Sequence, residues 1–225
     1  MSAILMETSE RSAEELEFFA MFIEQMGLKL YNLPKIASDE LSKGRLIMIA
    51  GKRFEKYDID ERDILLKHIR SGHRLLAMVD AESTPFFDSL MALLEEFGIY
   101  FAPEKIRNDS SFEITTKNIN RNHEAVMGIE ELTFVNSGSF KLAQKRMAPI
   151  DVLVRSEEKH IPPNAVLACA TRYGNGKIVT VSTWEILKQE NLFKSDNALF
   201  VMSLIYWLLD QKPPQDLKQR IQIIL

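Results

Sequence analysis

The sequence predicts an α/β fold, a flavodoxin-like three-layer sandwich with a mostly parallel sheet. Three observations lead there. Apolar runs of strand length alternate with helical periodicities through the first hundred residues, the joints between them are short, and the runs are apolar at nearly every position. Strands of that kind are covered on both faces, and strand–helix–strand units cross over right-handed into parallel sheets.

Strands and helices alternate in a regular order as far as residue 102. A short apolar run at 3–6 precedes a helix predicted over 13–26, for which Ser12 is a suitable N-cap. The run at 45–50 carries β-branched residues and ends at Gly51, which is typical of a buried strand. Further strands are predicted at 28–33, 74–79 and 99–102, and further helices at 58–70 and 85–97.

The character of the sequence changes after about residue 105. Short alternating segments lie between Asn, Gly and Pro turns, with strands predicted at 111–119, 131–135 and 152–154. We therefore expect a single α/β domain over residues 1–225, in which 111–163 is a β-rich insertion or sub-lobe.

The last third predicts a hairpin and a buried helix. The turn Tyr173-Gly174-Asn175-Gly176-Lys177 separates apolar runs at 166–171 and 178–182, and such turns join antiparallel strands. The nearly all-apolar segment 198–209 follows Ser195-Asp196-Asn197, a suitable helix start. It predicts a helix that lies deep against the sheet.

Composition excludes several classes of protein. The chain is 46% hydrophobic and 27% charged, as folded globular proteins are, and its net charge of −4 provides no general attraction for nucleic acid or anionic membrane.

The single cysteine, Cys169, cannot form an internal disulfide, so a cytoplasmic location is expected. The N-terminus lacks the basic start of a signal peptide, and the longest apolar stretch, 198–209, is shorter than the roughly 20 residues of a transmembrane helix. Neither a nucleic-acid partner nor a transmembrane segment is predicted.

Several segments resemble the GIFT-type domain. The order GRLIMIAGKR, DIDERDILLKHIRSGHRLLAMVD and LMALLEEFGIYF, followed by ATRYGNGKIVTVSTWEIL and KSDNALFVMSLIYWLL, is similar to that domain from about residue 45 to about residue 209. The domain is shared by gliding-motility ABC-transporter auxiliary proteins and an intraflagellar-transport subunit, and it belongs to the class I glutamine amidotransferase-like superfamily. The resemblance implies a flavodoxin-like fold and, as in most members, a binding or assembly role.

The catalytic centre of a glutamine amidotransferase is predicted to be absent. That chemistry needs a cysteine thiolate on a strand-to-helix turn and a histidine that a carboxylate orients. The nucleophile should follow strand 74–79, where the chain reads Asp80-Ala81-Glu82, and the histidine should follow strand 178–182, where it reads Thr183-Trp184-Glu185. Cys169 lies within an apolar run and is interpreted as a small buried side chain.

Other chemistries lack their motifs as well. The four histidines, His68, His73, His123 and His160, never occur at i, i+4 or as H-x-H, so no metal site is predicted. No G-x-S-x-G elbow and no glycine-rich phosphate loop occur. No catalytic residue and no cofactor are therefore assigned.

A small ligand would lie in the crevice at the carboxyl ends of the parallel strands, where loops from several units meet. Carboxylates there could bind a cation or act as acid and base if burial shifted their pKa values. Asp196 and Asn197 suit a helix N-cap, but the same helix start could face a partner or an anion. The candidate ligand-binding residues are Gly51, Lys52, Asp80, Glu82, Thr183, Glu185, Asp196 and Asn197.

The leading interpretation is a non-catalytic domain that binds a partner protein or itself. One alternative is a hydrolase or transferase that uses Asp80, Glu82 and Glu185 on a small polar or sugar-like substrate, and another is a small-ligand sensor. The tail 215–225 ends in four apolar residues, which either fold back on the body or form a homodimer interface.

Overall fold

The computed structural model describes residues 3–7, 14–50, 59–79, 81, 85–143 and 148–224. Within these ranges the chain forms strands and helices in an order close to the predicted one. The strands are β1 Ala3–Glu7, β2 Lys29–Leu33, β3 Leu46–Ala50, β4 Arg74–Met78, β5 Ile99–Ala102, β6 Glu113–Thr116, β7 Leu132–Val135, β8 Ser139–Leu142, β9 Asp151–Arg155, β10 Val166–Tyr173 and β11 Gly176–Val181. The helices are α1 Glu17–Gln25, α2 Ser38–Leu41, α3 Ile59–Ser71, α4 Pro85–Glu96, α5 Gln189–Leu192, α6 Asn197–Leu208 and α7 Leu217–Ile224, with 3-10 turns at Glu124–Val126 and Glu185–Leu187.

The main sheet is mixed, and its parallel part confirms the α/β prediction. Strands β2, β1, β3, β4 and β11 lie side by side in that order, and each pair among them is parallel. The hairpin of β10 and β11 is antiparallel, with Tyr173 opposite Gly176 at its turn, as predicted. The proposed N-cap Ser12 lies outside the described residues.

One strand departs from the predicted parallel order. β5 pairs with β8 in antiparallel orientation at the edge of the sheet, with Phe101 opposite Phe140. The place beside β4 is taken by β11, so β5 joins the sheet beyond β10. β8 itself was not predicted, because its first residue, Ser139, belongs to Ser137-Gly138-Ser139, which reads as a turn.

The β-rich stretch divides between two sheets. β6 and β7 form a separate antiparallel pair, whereas β8 and β9 both pair with β10 of the main sheet. The stretch therefore supplies a small sheet of its own and an extension of the large one.

The strands β1, β3, β4 and β11 are buried on both faces, whereas the edge strand β2 is largely exposed. In β3, Met48 belongs to the core under α1, α6 and α7, while Ile47 belongs to the core under α3 and α4. α6 lies in the first of these cores, with Phe200 and Ile205 fully buried, as the apolar segment predicts. Helices on both sides of a buried sheet explain why its strands are apolar throughout.

The C-terminal tail folds back on the body. Leu217 and Ile221 of α7 are buried in the core that contains α6, while Ile223 is 77% exposed. No helix in the described ranges is both long enough and apolar enough to cross a membrane.

Candidate functional site

Two of the predicted crevice residues can be placed at the carboxyl end of the parallel sheet. Thr183 follows β11 there, and Glu185 begins the 3-10 turn that comes next. The other four residues assigned to this crevice lie outside the described residues, namely Gly51, Lys52, Asp80 and Glu82. The structure therefore places two of these six residues.

Glu185 is the one acidic side chain of the predicted crevice that the structure describes, and it is held in place. Its side chain is 11% exposed and lies 3.8 Å from Nζ of Lys188. Oε1 of Glu185 accepts a hydrogen bond of 3.1 Å from Nδ2 of Asn136. Lys188 also lies 4.7 Å from the centre of the Trp184 ring. A carboxylate that is paired with a cation and an amide is suited to holding two loops together.

The hydroxyl groups beside Glu185 are used by the backbone. Oγ1 of Thr183 donates to the carbonyl of Val135 at 2.9 Å and accepts from the backbone N–H of Glu185 at 3.2 Å. The hydroxyls of Ser137 and Ser182 lie 2.6 Å apart and are fully buried. These contacts fasten the end of β11 to the loop after β7, and none of them leaves a hydroxyl aligned as a nucleophile with an adjacent base.

Asp196 and Asn197 start α6, but they reach toward the small sheet. Oδ2 of Asp196 accepts from the backbone N–H of Glu130 at 2.9 Å, and Asp196 makes no side-chain hydrogen bond to its own helix, so the expected capping by this residue is wrong. Asn197 is fully buried, and its amide bonds both backbone groups of Thr133. The chain turns into the helix with Ser195 at φ +50°, which directs both side chains toward β7.

The thiol of Cys169 is inaccessible. It lies on β10, fully buried, with Sγ 3.0 Å from the hydroxyl of Thr180 on the neighbouring strand. Burial raises the pKa of this thiol to about 12, although the hydrogen bond to Thr180 opposes the rise. A thiol with such a pKa is protonated at neutral pH and is a poor nucleophile.

His68 and His73 lie together, with ring centres 4.8 Å apart, whereas His123 and His160 lie in two separate turns. Nδ1 of His123 accepts from the backbone N–H of Ala125, and Nδ1 of His160 accepts from that of Glu157, so both serve tight turns. Burial is the main cause that lowers the pKa of each of these two histidines. Across the part of the chain that the structure describes, no group of three or more His, Cys, Asp or Glu side chains is arranged to hold a metal ion.

A charged cluster at the opposite end of the sheet escaped the sequence analysis. Asp210, which follows α6, accepts from Lys177 at 2.5 Å, from Arg74 at 2.8 Å and from Arg45 at 3.1 Å. Burial raises the pKa of Asp210, but hydrogen bonds from Lys177 and Arg74 outweigh it and lower the pKa to about 2. The sequence does place a basic residue at the beginning of three parallel strands: Arg45 comes just before β3, Arg74 is the first residue of β4, and Lys177 is the second residue of β11.

Comparisons with known proteins show the fold. No protein-family model matches the sequence, and no curated protein matches it. The mmIFT52 N-terminal domain is similar, with a TM-score of 0.77 and 19% identity over 91% of this chain and 96% of that one. The cytoplasmic protein STM3548 from Salmonella typhimurium has a TM-score of 0.67 and 11% identity over 92% of this chain and 99% of that one. The resemblance to the GIFT-type domain is thereby confirmed at the level of the fold.

A third likeness concerns part of a larger protein. The cold-adapted β-galactosidase from Rahnella sp. R3 has a TM-score of 0.62 and 10% identity, and the match covers 94% of this chain but 32% of that one. The shared region is thus about one third of that chain.

Proposed function

We propose that this chain, which has the fold of the mmIFT52 N-terminal domain, is a non-catalytic module that binds a partner protein. One observation carries the proposal. After β11, where an amidotransferase would have its histidine and acid, Thr183, Trp184 and Glu185 are buried, and Thr183 and Glu185 hold neighbouring loops. The only cysteine is buried and protonated, which supports the same conclusion.

The fold likeness supports an assembly role and a cytoplasmic location. The similar Salmonella protein is described as cytoplasmic, and a buried, unpaired Cys169 is compatible with a reducing compartment. GIFT-type domains mostly bind or assemble, which is the role that the resemblance implies for this chain.

Reconstitution tests this proposal. The tagged full-length chain is cross-linked in cells, its stoichiometric partner is identified, and both proteins are purified and mixed. We expect a complex of fixed stoichiometry by light scattering and no turnover of glutamine or of nitrophenyl glycosides. Turnover that Glu185→Gln abolishes in a folded variant would contradict the proposal and favour the enzyme alternative with Asp80, Glu82 and Glu185.

Self-association is the second form of binding, and the exposed Ile223 favours it. Leu217 and Ile221 of the tail are covered by the body, so a dimer through α7 has Ile223 as its main apolar contact. If the chain is a dimer through the tail, Ile223→Asp will halve its mass in light scattering. A dimer that keeps its mass after this substitution, or a wild-type monomer, would remove the tail as an interface.

A further inference from the structure

A basic face lies at the amino ends of the parallel strands, opposite the predicted crevice. We define it by five side chains, the exposed Lys67 and Arg70, the partly exposed Arg45, and the buried Arg74 and Lys177 beneath them. They come from four places in the sequence, the starts of β3, β4 and β11 and the last turns of α3. The chain as a whole carries a net charge of −4, so this face has a sign opposite to that of the protein.

The charges of the basic face are only partly compensated. Arg45, Arg74 and Lys177 share the single carboxylate of Asp210. Lys67 and Arg70 are exposed and form no ion pair within the described ranges. Basic residues at the end of a helix interact favourably with its dipole, which accounts for part of their placement but leaves their outward charge intact.

Two adjoining cavities open on this face. One, of about 450 Å³, is lined by Arg45, His73, Arg74 and the turn residue Asn175. The other, of about 390 Å³, is lined by Leu66, Lys67, Arg70 and Tyr173, and also by Asp63, whose carboxylate lies 3.7 Å from the guanidinium of Arg62. Ser71, at the end of α3, lines both of them, so a single extended ligand can reach from one to the other.

The second cavity combines an apolar wall with cations. Leu66 and the half-buried Tyr173 ring form the wall, and the guanidinium carbon of Arg70 lies 5.8 Å from the centre of that ring. The edge-to-face contact of Tyr173 with Phe97, with ring centres 5.2 Å apart, fixes the ring. An apolar side chain of a ligand can therefore pack there while its neighbours meet positive charge.

We propose that the basic face binds an acidic segment of a partner protein, in which an apolar side chain is flanked by Asp or Glu. The apolar side chain fills the cavity of Leu66 and Tyr173, and the carboxylates pair with Arg45, Lys67 and Arg70. Complementary charge steers such a segment toward this face of an otherwise acidic protein. The inference rests on the proposed function and names the surface and the chemistry of the partner.

Nucleic acid is the other polyanion that such a face could meet. Single-stranded nucleic acid gains most of its affinity by stacking bases on open aromatic rings. Tyr173 makes an edge-to-face contact with Phe97, and the Arg70 guanidinium lies over the Tyr173 ring, so stacking of a base on it is restricted. The observations therefore favour an acidic peptide.

Peptide selection on the full-length chain tests the inference. A library of random twelve-residue peptides is selected, and binding of an enriched peptide is measured by fluorescence anisotropy. We expect enriched peptides to carry carboxylates next to an apolar residue, and Lys67→Glu with Arg70→Glu to weaken binding at least tenfold. The matched control is Lys35→Glu with Lys141→Glu, which changes the net charge equally at two exposed lysines and should shift the Kd less than twofold. Unfolding curves of both double variants establish that they are folded.

Several results would overturn the inference. In the selection, these are enrichment of peptides without carboxylates and no enrichment at all. In the binding measurements, they are an enriched peptide that binds the Lys67 and Arg70 double variant as tightly as wild type, and a twenty-nucleotide DNA strand that binds wild type more tightly than the peptide does and does not bind the double variant. If a reconstituted partner binds the same variant normally, this surface is wrong while the proposed function stands. Turnover without any partner would refute the proposed function instead.

Discussion

The side-chain amide of Asn197 pairs with both backbone groups of Thr133. Oδ1 accepts from the Thr133 N–H at 3.0 Å, and Nδ2 donates to the Thr133 carbonyl at 2.8 Å and to the Asn191 carbonyl at 2.8 Å. The amide thus acts as one more strand residue beside β7. It joins the first turn of α6, the end of α5 and the small sheet in one fully buried contact.

Asn197→Ala should lower the free energy of unfolding by about 3 kcal/mol, because it leaves backbone groups of Thr133 and Asn191 buried without partners. Asn197→Asp should cost more, since a buried carboxylate would face two carbonyl oxygens. Urea unfolding followed by circular dichroism measures both changes. The matched control is the exposed Asn122→Ala, for which we expect less than about 0.5 kcal/mol. Equal stability of the three variants would contradict the role of Asn197.

The Asp210 cluster should make stability depend on pH in the acid range. The folded pKa of Asp210 is about 2, below the unfolded value of about 3.9, so its contribution is present above pH 4 and is lost as the pH falls toward 2. The side chain is 39% exposed, and solvent screening limits the effect to roughly 1 kcal/mol. The measurement compares unfolding free energies of wild type and Asp210→Asn between pH 5 and pH 2. Curves that stay parallel over this range would refute the assignment.

Cys169 should resist modification in the folded protein. Its burial and its pKa of about 12 keep it as an inaccessible thiol, so Ellman's reagent at pH 8 should react only after unfolding in guanidinium chloride. Cys169→Ser replaces the thiol by a hydroxyl, which can still form a hydrogen bond with Thr180. This variant therefore tests whether residue 169 contributes only packing. Fast stoichiometric labelling of native protein would show that the thiol is accessible.

Gly176→Ala should be destabilising by about 2 to 3 kcal/mol. A Cβ atom at this position would overlap the backbone carbonyl of Ile69 and lie 2.8 Å from that of His73, so the hairpin would move away from α3. Gly128→Ala is the comparison, because its Cβ would meet open space and only its φ of +81° opposes the change. We expect about 1 kcal/mol there. Thermal unfolding distinguishes the two, and the prediction fails if Gly128→Ala costs as much.

Shortening the side chains of two isoleucines in the tail, Ile221 and Ile223, should change the free energy of unfolding by different amounts. Ile221 is 6% exposed and belongs to the core beneath α7, so Ile221→Ala should cost about 2 kcal/mol. Ile223 is 77% exposed, and Ile223→Ala should change the free energy of unfolding by less than about 0.5 kcal/mol. Urea unfolding at a protein concentration below any dimerisation tests the pair. Equal losses would mean that α7 does not lie on the body as described.

The candidate site was only partly predictable. The sequence predicts the strand that precedes Thr183 and Glu185, because strand periodicity is a local property. Their partners Asn136 and Val135 lie about fifty residues away, and no local pattern indicates such a contact. The orientation of Asp196 toward Glu130 was likewise hidden, since an acid at a helix start suits capping equally well.

The sequence by itself determined the alternation of strands and helices, the hairpin of β10 and β11, and the burial of α6. It could do so because apolar periodicity and turn residues act over a few neighbouring positions. Only the tertiary structure decided that β5 pairs with β8 and that Arg45, Arg74 and Lys177 meet at Asp210. Those contacts join residues that lie far apart along the chain, and the free energy that selects them comes from packing of the whole sheet.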